Sequence, residues 1–115
     1  MINYLACPYT HAEEHMEQRR YEWVTTVAAE LMRQGLVVYS PITSMHYLAR
    51  RLKVGEVDWL QHDLTILARC DKLIVLQLED WEASEGLRKE IEFAREHNIP
   101  IEYVEFKIGK NNQHG

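Results

Sequence analysis

LIVLQLEDWEASEGLRKEIEFA, residues 73–94, opens as an apolar run and closes as an amphipathic one. The first six residues have the length of a strand and little of the polar alternation of a half-exposed one, so they read as a strand covered on both faces. Beyond EDWEA, Leu87, Ile91 and Ala94 recur at helical spacing, which predicts a helix over residues 84–97. Two features of that helix look wasteful. Gly86 sits in the first turn, where it weakens a helix by about 1 kcal/mol relative to Ala. Glu90 lies about 60° from the centre of the apolar stripe, so a carboxylate borders the core.

The same alternation of strand and helix runs along the rest of the chain. INYLAC, residues 2–7, is a short apolar run stopped by Pro8. Residues 10–34 carry Val24, Val27, Ala28 and Leu31 at helical spacing, with Gly35 as the stop. LVVY, residues 36–39, is a second strand closed by Ser40-Pro41, followed by a short helix over residues 43–52. Residues 58–68 form a further helix with Leu60, Leu64 and Leu67 on one side, and residues 98–104 give a turn and a last strand, IPIEYV. Strands alternating with helices predict an α/β fold, a Rossmann-like or flavodoxin-like three-layer sandwich around a small, mostly parallel sheet of four or five strands. Residues 1–106 are expected to form the single domain, with the polar KIGKNNQHG, residues 107–115, as a disordered tail.

Bulk properties narrow the function classes. The chain has 115 residues, 46% of them hydrophobic, which suits one core. Carboxylates outnumber Lys and Arg by 18 to 13, for a net charge of −5, and no basic patch for a nucleic acid polymer is visible. Mean hydropathy is −0.39, and no stretch approaches the ~20 apolar residues of a membrane helix. Cys7 and Cys70 form no CxxC pattern, and MINYLACPY has no basic segment leading into a long apolar one. These features predict a cytoplasmic protein with no membrane partner.

Parallel sheets bind ligands at the carboxyl ends of their strands. That rule selects Cys7-Pro8-Tyr9 after the first strand, the segment after Tyr39, and the stretch from Trp81 to Gly86. Ser84 is a good N-cap for the last helix. Beside Gly86, whose missing Cβ permits close approach, free N–H groups there could also meet an anion such as phosphate. Glu90 could attack an electrophilic sugar carbon, pair with a cation, or be a helix glutamate in an i,i+4 pair. Asp63, flanking the apolar side of its helix, could be a surface aspartate or a second acid; two carboxyls permit the division of labour used on glycosidic bonds. Arg20 continues the apolar face of the first helix and could either reach a phosphate or snorkel over the core rim. His46 could line the pocket or lie on the surface, and Tyr9 and Trp81 could stack on a base. No HExxH, Cys/His quartet, G-x-S-x-G elbow, Walker A loop or GxGxxG is present, so no metal and no cofactor are expected.

Together YLACPY in the first strand, HDLTILARCDKLIVL, residues 62–76, and SEGLRKE, residues 84–90, resemble the nucleoside 2-deoxyribosyltransferase superfamily. The likeness covers most of residues 4–105. It rests on the order of an aromatic strand, an aspartate on a helix, an Asp-led buried strand and a Gly-x-x-x-Glu segment. The resemblance implies Glu90 as nucleophile toward the anomeric carbon, Asp63 as the residue handling the leaving base's proton, and Tyr4 as the family's strand tyrosine. Transferases usually carry an aspartate two residues before the glycine. Ser84 stands there, which is similar to the (deoxy)nucleoside 5′-monophosphate N-glycosidase branch, where a serine meets the phosphate. Cys7-Pro8-Tyr9 where relatives commonly have a glycine, and the inserted EDWEA, are departures closest to a related, uncharacterised bacterial and phage domain family.

What the resemblance implies is hydrolysis of the N-glycosidic bond of a nucleoside 5′-monophosphate or related nucleotide. The alternatives are a non-catalytic nucleotide-binding or sensing module and a base-exchanging deoxyribosyltransferase. It also implies a homodimer or higher homo-oligomer, for which an exposed Trp59–Leu60 or Tyr47–Leu48 patch would be suitable.

Overall fold

Each of the first three strands is followed by a helix, and all four strands of the described residues run in the same direction. The computed structural model describes residues 1–106. Along the chain come β1 (Ile2–Ala6), α1 (Glu14–Arg33), β2 (Val37–Tyr39), α2 (Pro41–Ala49), α3 (Trp59–Leu67), β3 (Lys72–Gln77), a 3-10 turn (Trp81–Ala83), α4 (Glu85–Glu96) and β4 (Ile101–Glu105). The sheet order is β2-β1-β3-β4, entirely parallel. The expected α/β sandwich of flavodoxin type is the fold observed, with four strands, all parallel, among the described residues. The tail at residues 107–115 lies outside the described residues.

Strand periodicity sorts the core into two layers. Tyr4, Ala6, Leu73 and Val75 face α3 and α4, where they meet Leu67, Leu87, Ile91 and Ala94. Leu5, Cys7, Ile74 and Leu76 face the opposite way, onto Val24 and Ala28 of α1. β3 is therefore covered on both faces, and Leu73, Val75 and Leu76 are completely buried. Each such side chain contributes about 1.5–3 kcal/mol through its removal from water.

Local chemistry explains where the helices differ from the sequence-based bounds. α1 starts at Glu14, later than expected, because residues 10–13 are a braced loop: Glu17 Oε2 accepts from the His11 N–H at 3.0 Å, and His11 Nδ1 accepts from the Glu13 N–H at 2.9 Å. α1 ends at Arg33, and Gly35 just beyond the cap residue Gln34 has a φ of +91°, a left-handed conformation that favours glycine. α2 begins earlier than expected. Ser40 caps it, accepting from the Thr43 N–H at 3.3 Å, and Pro41 occupies the first turn, where its missing N–H costs nothing. Ser40-Pro41 thus opens the helix as well as closing β2.

The strand order positions the site. From β1 the chain crosses to β2 on one side, then returns past β1 to β3 on the other. The loops leaving β1 and β3 therefore diverge, opening a crevice at their carboxyl ends.

Candidate functional site

A cavity of about 580 Å³ fills that crevice. Its floor is the end of β1 at Ala6 and Cys7. One wall is α2, through Ile42, Met45, His46 and Ala49. The other two are the start of α3, with Trp59, Leu60 and Asp63, and of α4, with Ser84, Glu85, Gly86, Leu87 and Glu90. The volume is in the range of small-molecule sites.

Glu90 projects from the second turn of α4 and is only 8% exposed. Tyr4, wholly buried in central strand β1, donates its hydroxyl proton to Glu90 Oε2 at 2.6 Å. Burial pushes the Glu90 carboxyl up to about 8; the Tyr4 hydrogen bond opposes that rise, and the nearby negative charge of Asp63 adds to it. Asp63, one helix away, is also shifted upward by burial, against the contrary pull of His62, whose Nδ1 lies 3.2 Å from Asp63 Oδ1. Two carboxyls from different helices thus line one cavity, with raised proton affinities and electrostatic contact.

His46 is 2% exposed and forms part of the cavity wall. Its Nε2 lies 2.9 Å from Gln18 Oε1, a carbonyl oxygen that only accepts, so Nε2 carries the proton. Nδ1 then accepts from the Tyr9 hydroxyl at 2.6 Å. Burial, and secondarily the charge of Arg50, lowers the imidazole's proton affinity and keeps it neutral. Tyr21 stacks on the ring at 4.3 Å between centroids. Tyr9, itself in the cavity wall, is in this way oriented with its proton committed inward.

Ser84 caps α4, accepting from the Leu87 N–H at 3.3 Å. Ser84 and Gly86 both line the cavity, and a Cβ built on Gly86 would meet nothing within 4 Å. The fold itself therefore does not require a glycine there. Cys7 lines the floor as a buried thiol, its Sγ donating to the Pro8 carbonyl at 3.3 Å. Burial, aided by Glu90, pushes that thiol's proton affinity well up and favours the neutral thiol.

Four expected site residues stand elsewhere. Arg20 neither reaches the cavity nor snorkels: 6% exposed, it donates through Nη1 to the carbonyls of Tyr9 and Thr10 at 3.3 and 3.0 Å, fixing the loop after β1. The 3-10 turn directs Trp81 onto the core layer under α4 and toward Tyr103, 5.7 Å between centroids, away from the cavity. Pro8 is fully buried behind the floor. Tyr4 acts only through Glu90. Conversely, Trp59 and Leu60, read as a surface patch, belong to the cavity wall, while Tyr47 and Leu48 are exposed, at 58% and 51%. The signal for Trp59 was present in its spacing: it precedes Asp63 by four residues, on the same face of a helix capped by Asp58, whose carboxylate accepts from the Gln61 N–H at 3.1 Å.

The fold and this cavity define a flavodoxin-like α/β domain with a largely apolar crevice, holding a few polar groups, at its topological switch point. The chain belongs to the family described as Domain of unknown function (DUF1937), whose model matches residues 1–105. No curated protein matches it. Among the described residues no group of three or more His, Cys, Asp or Glu could hold a metal ion, and no helix is long and apolar enough to cross a membrane.

Proposed function

We propose that the protein hydrolyses the N-glycosidic bond of a nucleotide or nucleoside, in the manner of the nucleoside 2-deoxyribosyltransferase-like superfamily that its motifs resemble. The observation carrying this reading is the meeting of Glu90 and Asp63 at one cavity, with Tyr4 holding Glu90. A Glu90 carboxylate oxygen bonds to C1′ as the C1′–N bond breaks. The electron pair goes to the base nitrogen, which takes a proton from the Asp63 carboxylic acid. Water then attacks C1′, gives its proton to the Asp63 carboxylate, and frees Glu90 as a carboxylate. Tyr9 and Trp59 offer faces for the base, Trp59 in the place expected of Trp81. Ser84 and Gly86 at the start of α4 are the part of the cavity compatible with a 5′ substituent.

The test is incubation with a panel of nucleosides and nucleoside 5′-monophosphates, with free base measured by chromatography. Base release that Glu90→Ala abolishes supports the reading; release at an equal rate in both proteins overturns it. A second reading, binding without turnover, is favoured by the proton Glu90 holds up to about pH 8, since a protonated carboxyl is no nucleophile. Calorimetry showing tight nucleotide binding with no base released would select it. A base-exchanging transferase would be exposed by adding a competing free base.

A further inference from the structure

Three acids line the cavity: Asp63 and Glu90 inside it, and Glu85 at the exposed rim, where it pairs with Arg88. No Lys or Arg reaches it among the described residues. Arg20 is committed to two backbone carbonyls, and Arg88 pairs with Glu85 and Glu92 on the exposed face of α4. His46 is held neutral between Tyr9 and Gln18. Aromatic rings of Tyr9 and Trp59 stand in the same walls.

From this geometry we propose that the substrate is a nucleoside whose base is a positively charged, N-alkylated aromatic ring and which carries no phosphate. The inference rests on the glycosidase reading and names its substrate class. A phosphate dianion would meet no lysine or arginine side chain in the cavity and would lie near the Asp63 and Glu90 carboxyls, and repulsion of this kind is a common source of specificity. A cationic ring is drawn to the two inner acids, whose ionised forms it favours, and is further attracted by aromatic faces.

The charge of such a ligand also resolves the protonation of the nucleophile. Burial keeps Glu90 protonated in the empty cavity, whereas a cation beside it favours the carboxylate, so the substrate would ionise the group that attacks it. The leaving chemistry simplifies as well. When Glu90 bonds to C1′ and the C1′–N bond breaks, the electron pair neutralises the ring, and the base departs with no proton supplied. Asp63, as carboxylate, takes the proton of the water that later frees Glu90, and passes it to solvent; hydrolysis overall releases one proton.

Guanosine and 7-methylguanosine, at a pH below neutral where the methylated ring is cationic, differ by one methyl group and one charge. Their affinities for the whole protein can be compared by calorimetry, with 7-methylguanosine 5′-monophosphate as the third ligand and free base followed by chromatography. The expected result is binding of 7-methylguanosine at least about tenfold tighter than guanosine, weaker binding of the monophosphate, and loss of the charge preference in both Glu90→Gln and Asp63→Asn. Equal or tighter binding of guanosine or of the monophosphate, with base still released, overturns the substrate class and leaves the glycosidase reading standing. No binding and no base release with any of the three overturns both.

Discussion

The Tyr4 hydroxyl lies 2.6 Å from Glu90 Oε2, joining the central strand of the sheet to a helix 86 residues further along the chain. The bond is buried at both ends, Tyr4 completely and Glu90 to within 8% of full burial. Leaving either partner unpaired would cost about 1–3 kcal/mol, so the pair fixes where the carboxyl stands.

Stability should carry the signature of that carboxyl. The folded protein holds the Glu90 proton up to about pH 8, whereas an unfolded chain releases it near 4.5. Between those values the folded state binds more protons than the unfolded state. Its contribution is therefore complete below the lower value and lost as the pH rises through the upper one. Chemical denaturation across this range should show stability falling by a few kcal/mol. Glu90→Gln should flatten the slope and be the more stable protein at alkaline pH. Tyr4→Phe removes the hydrogen bond that favours the ionised form, so it should move the upper midpoint to still higher pH. A wild-type profile with no slope above neutrality would contradict the burial of this acid.

Gly86→Ala separates fold from ligand. The added methyl meets nothing in the empty cavity, and Ala gains about 1 kcal/mol in a helix relative to Gly. The variant should melt at a higher temperature and bind its substrate more weakly, by roughly tenfold if the ligand reaches the first turn of α4. A variant that is more stable and cleaves substrate as wild type does would show that the glycine's open side is unused.

The two tryptophans on either side of β3 should behave oppositely. Trp59 lines the cavity, and Trp81 packs on the core layer and on Tyr103. Trp59→Ala is expected to raise KM or Kd with little loss of stability. Trp81→Ala should destabilise by about 2–4 kcal/mol, below the cost of a fully buried tryptophan, and leave affinity near wild type in the fraction that stays folded. Thermal melts and substrate titrations of both variants check this, and a loss of affinity confined to Trp81→Ala would reverse the assignment.

The parallel sheet was legible because LIVLQL has no polar alternation and each apolar run is followed by a helical one; the direction of the strands follows from those crossovers. Glu90 was legible too, since its position beside the Leu87–Ile91–Ala94 stripe is set by helical geometry alone. Arg20 was not. Its place one turn before Val24 predicts a side chain near the strand ends, yet what it meets there is decided by how Tyr9 and Thr10 turn after β1, a conformation held by His11 and Glu17. Trp81 failed for a related reason. Asp80 adopts a left-handed conformation, φ 64°, and the 3-10 turn after it rotates Trp81 toward Tyr103. Nothing in the spacing of EDWEA specifies that rotation. The neutral His46 depends on Gln18 and Tyr9 reaching it from two other segments, a meeting visible only once the chain is folded.

In the proposed reaction Glu90 bonds to the sugar. Incubation with a 2′-deoxy-2′-fluoro nucleoside, whose electron-withdrawing fluorine slows departure of the sugar from the enzyme, followed by proteolysis and mass spectrometry of the α4 peptide, tests it directly. The predicted result is a fluorosugar adduct on Glu90 that is absent from Glu90→Gln. Base release from the ordinary nucleoside with no adduct on Glu90, or an adduct on another residue, would contradict the claim.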